Sequence, residues 1–210
     1  KSIARLQVGT LTSALALNLL VSLITALPAP AATNCVSPPS GLVSWWPAEG
    51  NTLDVADGNN GTVVNGAGYA AGKVGQAFAF NGTDSYVEVP DSPSLRLTNE
   101  LTIEGWVRRR DLQVEDYIIN KGGDYTRGAL GYGLTITVPQ YNSALAFLFA
   151  GGYRSSISIT DLEWHHVAVV ARHGDVDPVF YVDGEQRPVV SRRGPARLNL
   201  YASVEPVRIG

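Results

Sequence analysis

Apolar and polar residues alternate with a period of two along most of this chain. The pattern is clearest over residues 75–90, where Phe78 and Phe80 alternate with Ala77 and Ala79, and Val87 and Val89 alternate with Tyr86 and Glu88. A period of two places alternate side chains on opposite faces of a strand. Between the two runs lies Asn81-Gly82-Thr83-Asp84-Ser85. Asn, Gly and Asp tolerate positive φ, so this segment predicts a hairpin turn joining two paired strands. Pro90 cannot donate to a ladder and ends the second strand.

The same reading extends along the chain. Gly41–Pro47 predicts a first strand with Trp45 and Trp46 on opposite faces, and Thr62–Val64 a short second one. Over Leu101–Arg109, Leu101, Ile103 and Val107 share one face, and Thr102, Glu104, Trp106 and Arg108 share the other. Further strands are expected over 117–121, 131–138, 144–149, 154–159, 164–171 and 206–210. Residues 179–184 end in an Asp-Gly turn, which predicts 186–190 as their hairpin mate. No helical period occurs beyond the N-terminal residues. Many short strands separated by turn residues predict an all-β fold, a two-sheet antiparallel jelly-roll sandwich with its apolar faces buried between the sheets.

The first 31 residues are different. Lys1 and Arg5 precede an apolar run from Leu11 to Leu27, and Ala29 and Ala31 follow with small-residue spacing. This is the pattern of a secretory signal peptide over 1–31. The rival, a transmembrane anchor, needs about 20 apolar residues. Residues 32–40 have linker composition. A chain starting at Lys1 rather than Met reads as a fragment at its front. Cys35, the single cysteine, is either a lone thiol or pairs outside the chain. The formal charge is −3, and loss of Lys1 and Arg5 would make it two units more negative. With no basic stripe, nucleic acid is not an expected partner. The expected location is secreted or at the cell surface.

Several motifs occur in a set order: Gly41-Leu-Val-Ser-Trp-Trp-Pro47, Asp57-Gly-Asn-Asn-Gly-Thr62, Gly72–Pro90, Leu101-Thr-Ile-Glu-Gly-Trp-Val107, Trp164-His-His-Val-Ala-Val169, Phe180-Tyr-Val-Asp-Gly184 and Pro206-Val-Arg-Ile-Gly210. In this order the chain resembles the LamG-like jelly-roll family of the concanavalin A-like lectin/glucanase superfamily. The resemblance spans 41–210. It implies a domain truncated before a last strand of the type Phe-x-Gly-x-Ile-Asp-Glu-Val, and less stable than a chain extended through it. With the leader and linker, it also implies a large bacterial secreted or surface protein in which such a domain sits beside others.

The superfamily includes glycoside hydrolases, whose retaining members hold two carboxylates about 5–5.5 Å apart. The glucanase pattern Glu-x-Asp-x-x-Glu is not present. Glu88 and Glu104 are single acids on strands, and Glu100 belongs to a turn. A non-catalytic module is therefore expected, with a carbohydrate-active enzyme as the distant alternative. His165 and His166 are strand neighbours pointing to opposite faces, which suits packing or hydrogen bonding better than a shared metal. The resemblance implies calcium held by loop oxygens. Asp57, Asn59 and Asp84 are the best candidates, beside Asp54 and Asn60. It also implies a glycan or extracellular protein ligand. Sugars present apolar faces to aromatic rings and hydroxyl edges to polar groups. Trp106, flanked by Glu104 and Arg108, leads that list, followed by Tyr86, with Tyr125, Tyr132, Tyr153 and Arg154 weaker. The alternative function is an architectural or adhesion spacer without a small ligand.

Overall fold

A computed structural model describes residues 38–122, 131–149 and 152–210. The predicted signal peptide, most of the linker and Cys35 lie outside these residues, as does Tyr125. Among the described residues no helix is long and apolar enough to cross a membrane. The compact unit Gly41–Gly210 is all-β. Its strands are β1 (Thr62–Val64), β2 (Gly68–Ala71), β3 (Gln76–Ala79), β4 (Tyr86–Val89), β5 (Glu100–Val107), β6 (Asp116–Lys121) and β7 (Tyr132–Ile136). They continue with β8 (Ala144–Leu148), β9 (Gly152–Ser158), β10 (His165–Arg172), β11 (Val179–Val182), β12 (Glu185–Arg187), β13 (Val189–Arg193) and β14 (Val207–Ile209).

Two antiparallel sheets form a jelly-roll sandwich. The large sheet runs β1-β4-β14-β6-β7-β8-β9-β13, the small one β12-β11-β10-β5, and β2 and β3 pair as a separate hairpin. The main core lies between the sheets and obeys the predicted alternation. Leu134 and Ile136, Leu145 and Phe147, Val167 and Val169, and Phe180 and Val182 all point inward. Burying a side chain of this kind contributes about 1.5–3 kcal/mol. Tyr132 and Tyr153, weak ligand candidates by sequence, are core residues whose hydroxyls donate to the carbonyls of Leu95 and Pro195.

Three expectations are corrected. The runs around Phe78 and Val87 do not form a hairpin: β3 pairs with β2, whereas β4 pairs with β1 and β14. The Asn81 carboxamide accepts from the backbone N–H groups of Thr83, Asp84 and Ser85, so the turn is closed on itself and carries the chain away from β3. Phe78 and Phe80 instead pack against a second cluster of Val87, Val89, Leu95 and Val207. The 186–190 run is also split. β12 stays with β11, Pro188 has no N–H to continue that ladder, and β13 crosses to β9. Finally, Gly41–Pro47 joins no ladder. The Asp54 carboxylate takes the place of a neighbouring strand, accepting from the Trp45 N–H at 2.8 Å and from Ala56 and Asn59 at 2.9 Å each. Trp46 turns inward and donates to the Asn59 carbonyl, while Trp45 is exposed.

Candidate functional site

The outer face of the small sheet gathers aromatic and charged side chains on two central strands. Trp106 lies opposite His166 in the β5–β10 ladder, and cross-strand partners share a face. Their rings meet edge to face at 5.4 Å between centroids. One step beyond His165↔Val107, Arg108 lies opposite Trp164, its guanidinium 5.0 Å from the indole centroid. In the next row Ala168, itself buried, separates Glu104 from Tyr181. Lys73, in the turn between β2 and β3, places its ammonium 5.1 Å over the Trp106 ring. Trp106 remains 47% exposed, far more than a tryptophan covered by a loop. Two indoles, an imidazole and a phenol thus lie among polar groups on one open face. A sugar's C–H face can stack there while its hydroxyls reach Glu104 and Arg108.

Of the sequence candidates, Trp106, Glu104 and Arg108 are brought together. Tyr86 is not among them. It belongs to the large sheet, where Arg208 stacks on its ring and Glu88 pairs with Arg208. Sequence reasoning omitted Trp164, His166, Tyr181 and Lys73. For Trp164 and His166 the signal was present: they alternate with the inward Val167 and Val169. Arg154 lies on the large sheet, stacked on Tyr141 and bonded to Ser191.

His165 holds one end of this face in place. Its Nδ1 lies 2.8 Å from the Asp183 carboxylate and its Nε2 2.9 Å from that of Asp161. The other Asp183 oxygen accepts from the His166 N–H, so one carboxylate fixes both histidines. Asp183 and Gly184 have φ of 52° and 80°, the left-handed pair required by the tight turn between β11 and β12. Burial lowers the His165 pKa, but the bonds to Asp183 and Asp161 outweigh it, and the net shift is upward from 6.5. Asp161 and Asp183 are shifted below 3.8. The clamp's stabilisation is therefore complete below about pH 6.5 and fades as pH rises through the folded pKa of His165. At the acid end it fades below about pH 4, as the two carboxylates protonate. We expect wild type to lose about 1 kcal/mol more than His165→Asn between pH 6.5 and 8.5. Urea unfolding at both pH values measures this, and parallel behaviour of the two proteins would remove the clamp.

The calcium candidates do not form one ligand set. Asn59 precedes Thr62 at the Thr62↔Glu88 end of the β1–β4 ladder, with Asp57 in the same loop, whereas Asp84 precedes Tyr86 at the opposite, Val64↔Tyr86 end. The Asn59 amide donates to the hydroxyls of Ser44 and Ser94. Asp84 accepts from the Asn81 amide, and Asp54 is saturated by backbone donors. Among the described residues no group of three or more His, Cys, Asp or Glu side chains is placed for a metal. These residues do not fit a shared calcium ion. We expect the thermal midpoint to be the same in calcium and in EGTA, and a clear rise in calcium would contradict this geometry.

The comparisons with known proteins agree with the fold. A family model, Laminin_G_3, of the concanavalin A-like lectin/glucanases superfamily matches residues 81–210, more than half of the chain. The chain belongs to this superfamily. No curated protein matches it. Among solved structures it is similar to domain 4 of AbnA, a GH43 extracellular arabinanase from Geobacillus stearothermophilus, in complex with arabinotriose. The identity is 17% and the TM-score 0.55, over 76% of this chain and 78% of that one. A likeness at this identity shows the fold alone.

Proposed function

We propose that this chain is a non-catalytic extracellular binding module that recognises a glycan, as one part of a larger secreted or surface protein. The carrying observation is the open aromatic row of Trp106, His166 and Trp164, with Glu104, Arg108 and Tyr181 at its margins. The arabinotriose complex of the similar AbnA domain is consistent with a sugar-binding role for a sandwich of this kind. The acids favour binding over hydrolysis. Glu100 and Glu104 share the outer face of β5 but are four residues apart, about 13 Å along a strand. That exceeds the separation in either retaining or inverting glycosidases. Glu100, moreover, is the first residue of β5 rather than part of a turn, and it pairs with Arg172.

The test is Trp106→Ala in the full chain, assayed by affinity electrophoresis against a panel of soluble polysaccharides. Because the ring is on the surface, folding should survive, and circular dichroism checks this. A glycan retained by wild type should bind the variant more weakly by about 2 kcal/mol, roughly thirtyfold. Unchanged retention would move the weight to an architectural or protein-binding role.

A further inference from the structure

We propose that the Trp106 face selects a carboxylate-bearing sugar chain, a polyuronate, over neutral glycans, with Lys73 and Arg108 as the residues that set this preference. The inference rests on the glycan-binding reading above and adds the ligand's charge. Its basis is the way the chain uses its cations. Arg96, Arg172, Arg187, Arg192 and Arg208 each pair with a carboxylate, as expected in a chain with 19 acids and 16 bases. Arg110, Arg154 and Arg197 are bonded instead to carbonyl or hydroxyl oxygens, whereas Lys73 and Arg108 are set apart by lying over indole rings of one face. Among the described residues neither has a carboxylate within ion-pair reach, and both are held over the indoles of the platform.

This arrangement has a chemical consequence. A neutral sugar stacking on Trp106 would displace the Lys73 ammonium and lose a cation–π contact without replacing it. A uronate can stack beside that ammonium and supply the missing counter-ion. The Trp106 and Arg108 rows are two residues apart on one face, about 7 Å along the strand. A disaccharide spans that distance, so successive acidic units can meet Lys73 and then Arg108. The Arg108 guanidinium has a planar fork suited to a carboxylate. Glu104 lies on the far side of Trp106 from Arg108, where it can accept from sugar hydroxyls and gives the chain of charges a direction. The net negative charge of the protein does not oppose this, because exposed charges more than about 8 Å away are screened at physiological salt.

The experiment compares wild type, the double variant Lys73→Gln/Arg108→Gln and Trp106→Ala, all as full chains. The ligands are polygalacturonate, neutral arabinan and dextran sulfate, which carries sulfate but no carboxylate, in affinity electrophoresis at about 0.15 M salt. Wild type should be retarded most by polygalacturonate. The double variant should lose about tenfold of that affinity and most of its salt dependence. Its thermal midpoint should match wild type, since both side chains are on the surface. Equal retardation by arabinan and polygalacturonate, unchanged in the double variant but lost in Trp106→Ala, would overturn the charge preference and leave the platform standing. Retardation by dextran sulfate alone would also overturn it, in favour of sulfate. Retardation by none of the three, or by any of them equally in Trp106→Ala, would overturn the platform and the preference together.

Discussion

Replacing Arg109 with Ala should destabilise the protein by about 4 kcal/mol and lower its thermal midpoint by about 10 °C. The Arg109 side chain is 1% exposed, yet every part of its guanidinium is used. Nε donates to the Asp116 carboxylate at 2.6 Å, one terminal nitrogen to the Ile159 carbonyl at 2.9 Å and the other to the Val114 carbonyl at 2.7 Å. Arg109, two residues beyond β5, therefore ties the small sheet to the approach to β6 and the exit from β9. Truncation leaves two carbonyls and a half-buried carboxylate without their donor, and an unpaired buried charge costs more than the pair contributes. Arg109→Lys should recover part of the loss, because an ammonium lacks the fork that reaches three acceptors at once.

The pH dependence of that variant is a second readout. In wild type, burial raises the Asp116 pKa above 3.8 and Arg109 opposes the rise. Without Arg109, burial acts unopposed. The folded state then holds the Asp116 proton to higher pH than the unfolded chain does. Stability should therefore fall as pH rises through that window and recover on acidification towards about pH 5. Urea titrations of Arg109→Ala at pH 5 and 7 measure this. With wild type titrated alongside, a loss relative to wild type that is as large at pH 5 as at pH 7 would show that Asp116 does not carry it.

What the alternation of the chain could reveal depended on how regular each strand is. β5, β7, β8 and β10 keep their period without interruption, and their inward faces were legible residue by residue. Trp106, Glu104 and Arg108 followed from the same parity. Arg109 was legible too: Leu101, Ile103 and Val107 set the inward parity, and Arg109 continues it, but a charged side chain suggests solvent until its partners are seen. Other features depended on contacts far apart in sequence. Nothing local says that Asn81 closes its own turn, or that Asp54 stands in for a strand beside Trp45. Lys73 reaches Trp106 from a different hairpin, and no period within β5 can report that. Tyr86 shares the sugar-friendly chemistry of Trp106 but sits on the other sheet, a separation set by the crossover after β3.

Lys121 shows where the period itself fails, and it carries the second large expected effect: Lys121→Met should cost about 3 kcal/mol. β6 contains a bulge between Tyr117 and Ile119, which shifts the parity and turns Lys121 inward beside Tyr132. Its ammonium is wholly buried, 2.6 Å from an Asp91 carboxylate oxygen and 2.6 Å from the Glu205 carbonyl. Methionine matches the volume closely, so the expected loss comes from the missing donor and charge rather than from a cavity. Asp91 also binds Arg96, and hydrogen bonds from Arg96 and Lys121 hold its pKa down at about 2. A depressed carboxylate contributes stability that is present above about pH 4 and lost as pH falls towards 2. Wild type should therefore lose more stability between pH 4 and 2 than Lys121→Met, which has already lost one of the two donors. Because Lys121 joins Asp91, just before the Pro93–Leu95 3-10 helix, to the segment before β14, its loss should also loosen the chain just ahead of β14. Hydrogen exchange at Val207 and Ile209 reads this directly: protection there should fall in Lys121→Met by more than in the β10–β11 ladder, and a uniform fall would mean that the ion pair supports the whole fold rather than that seam.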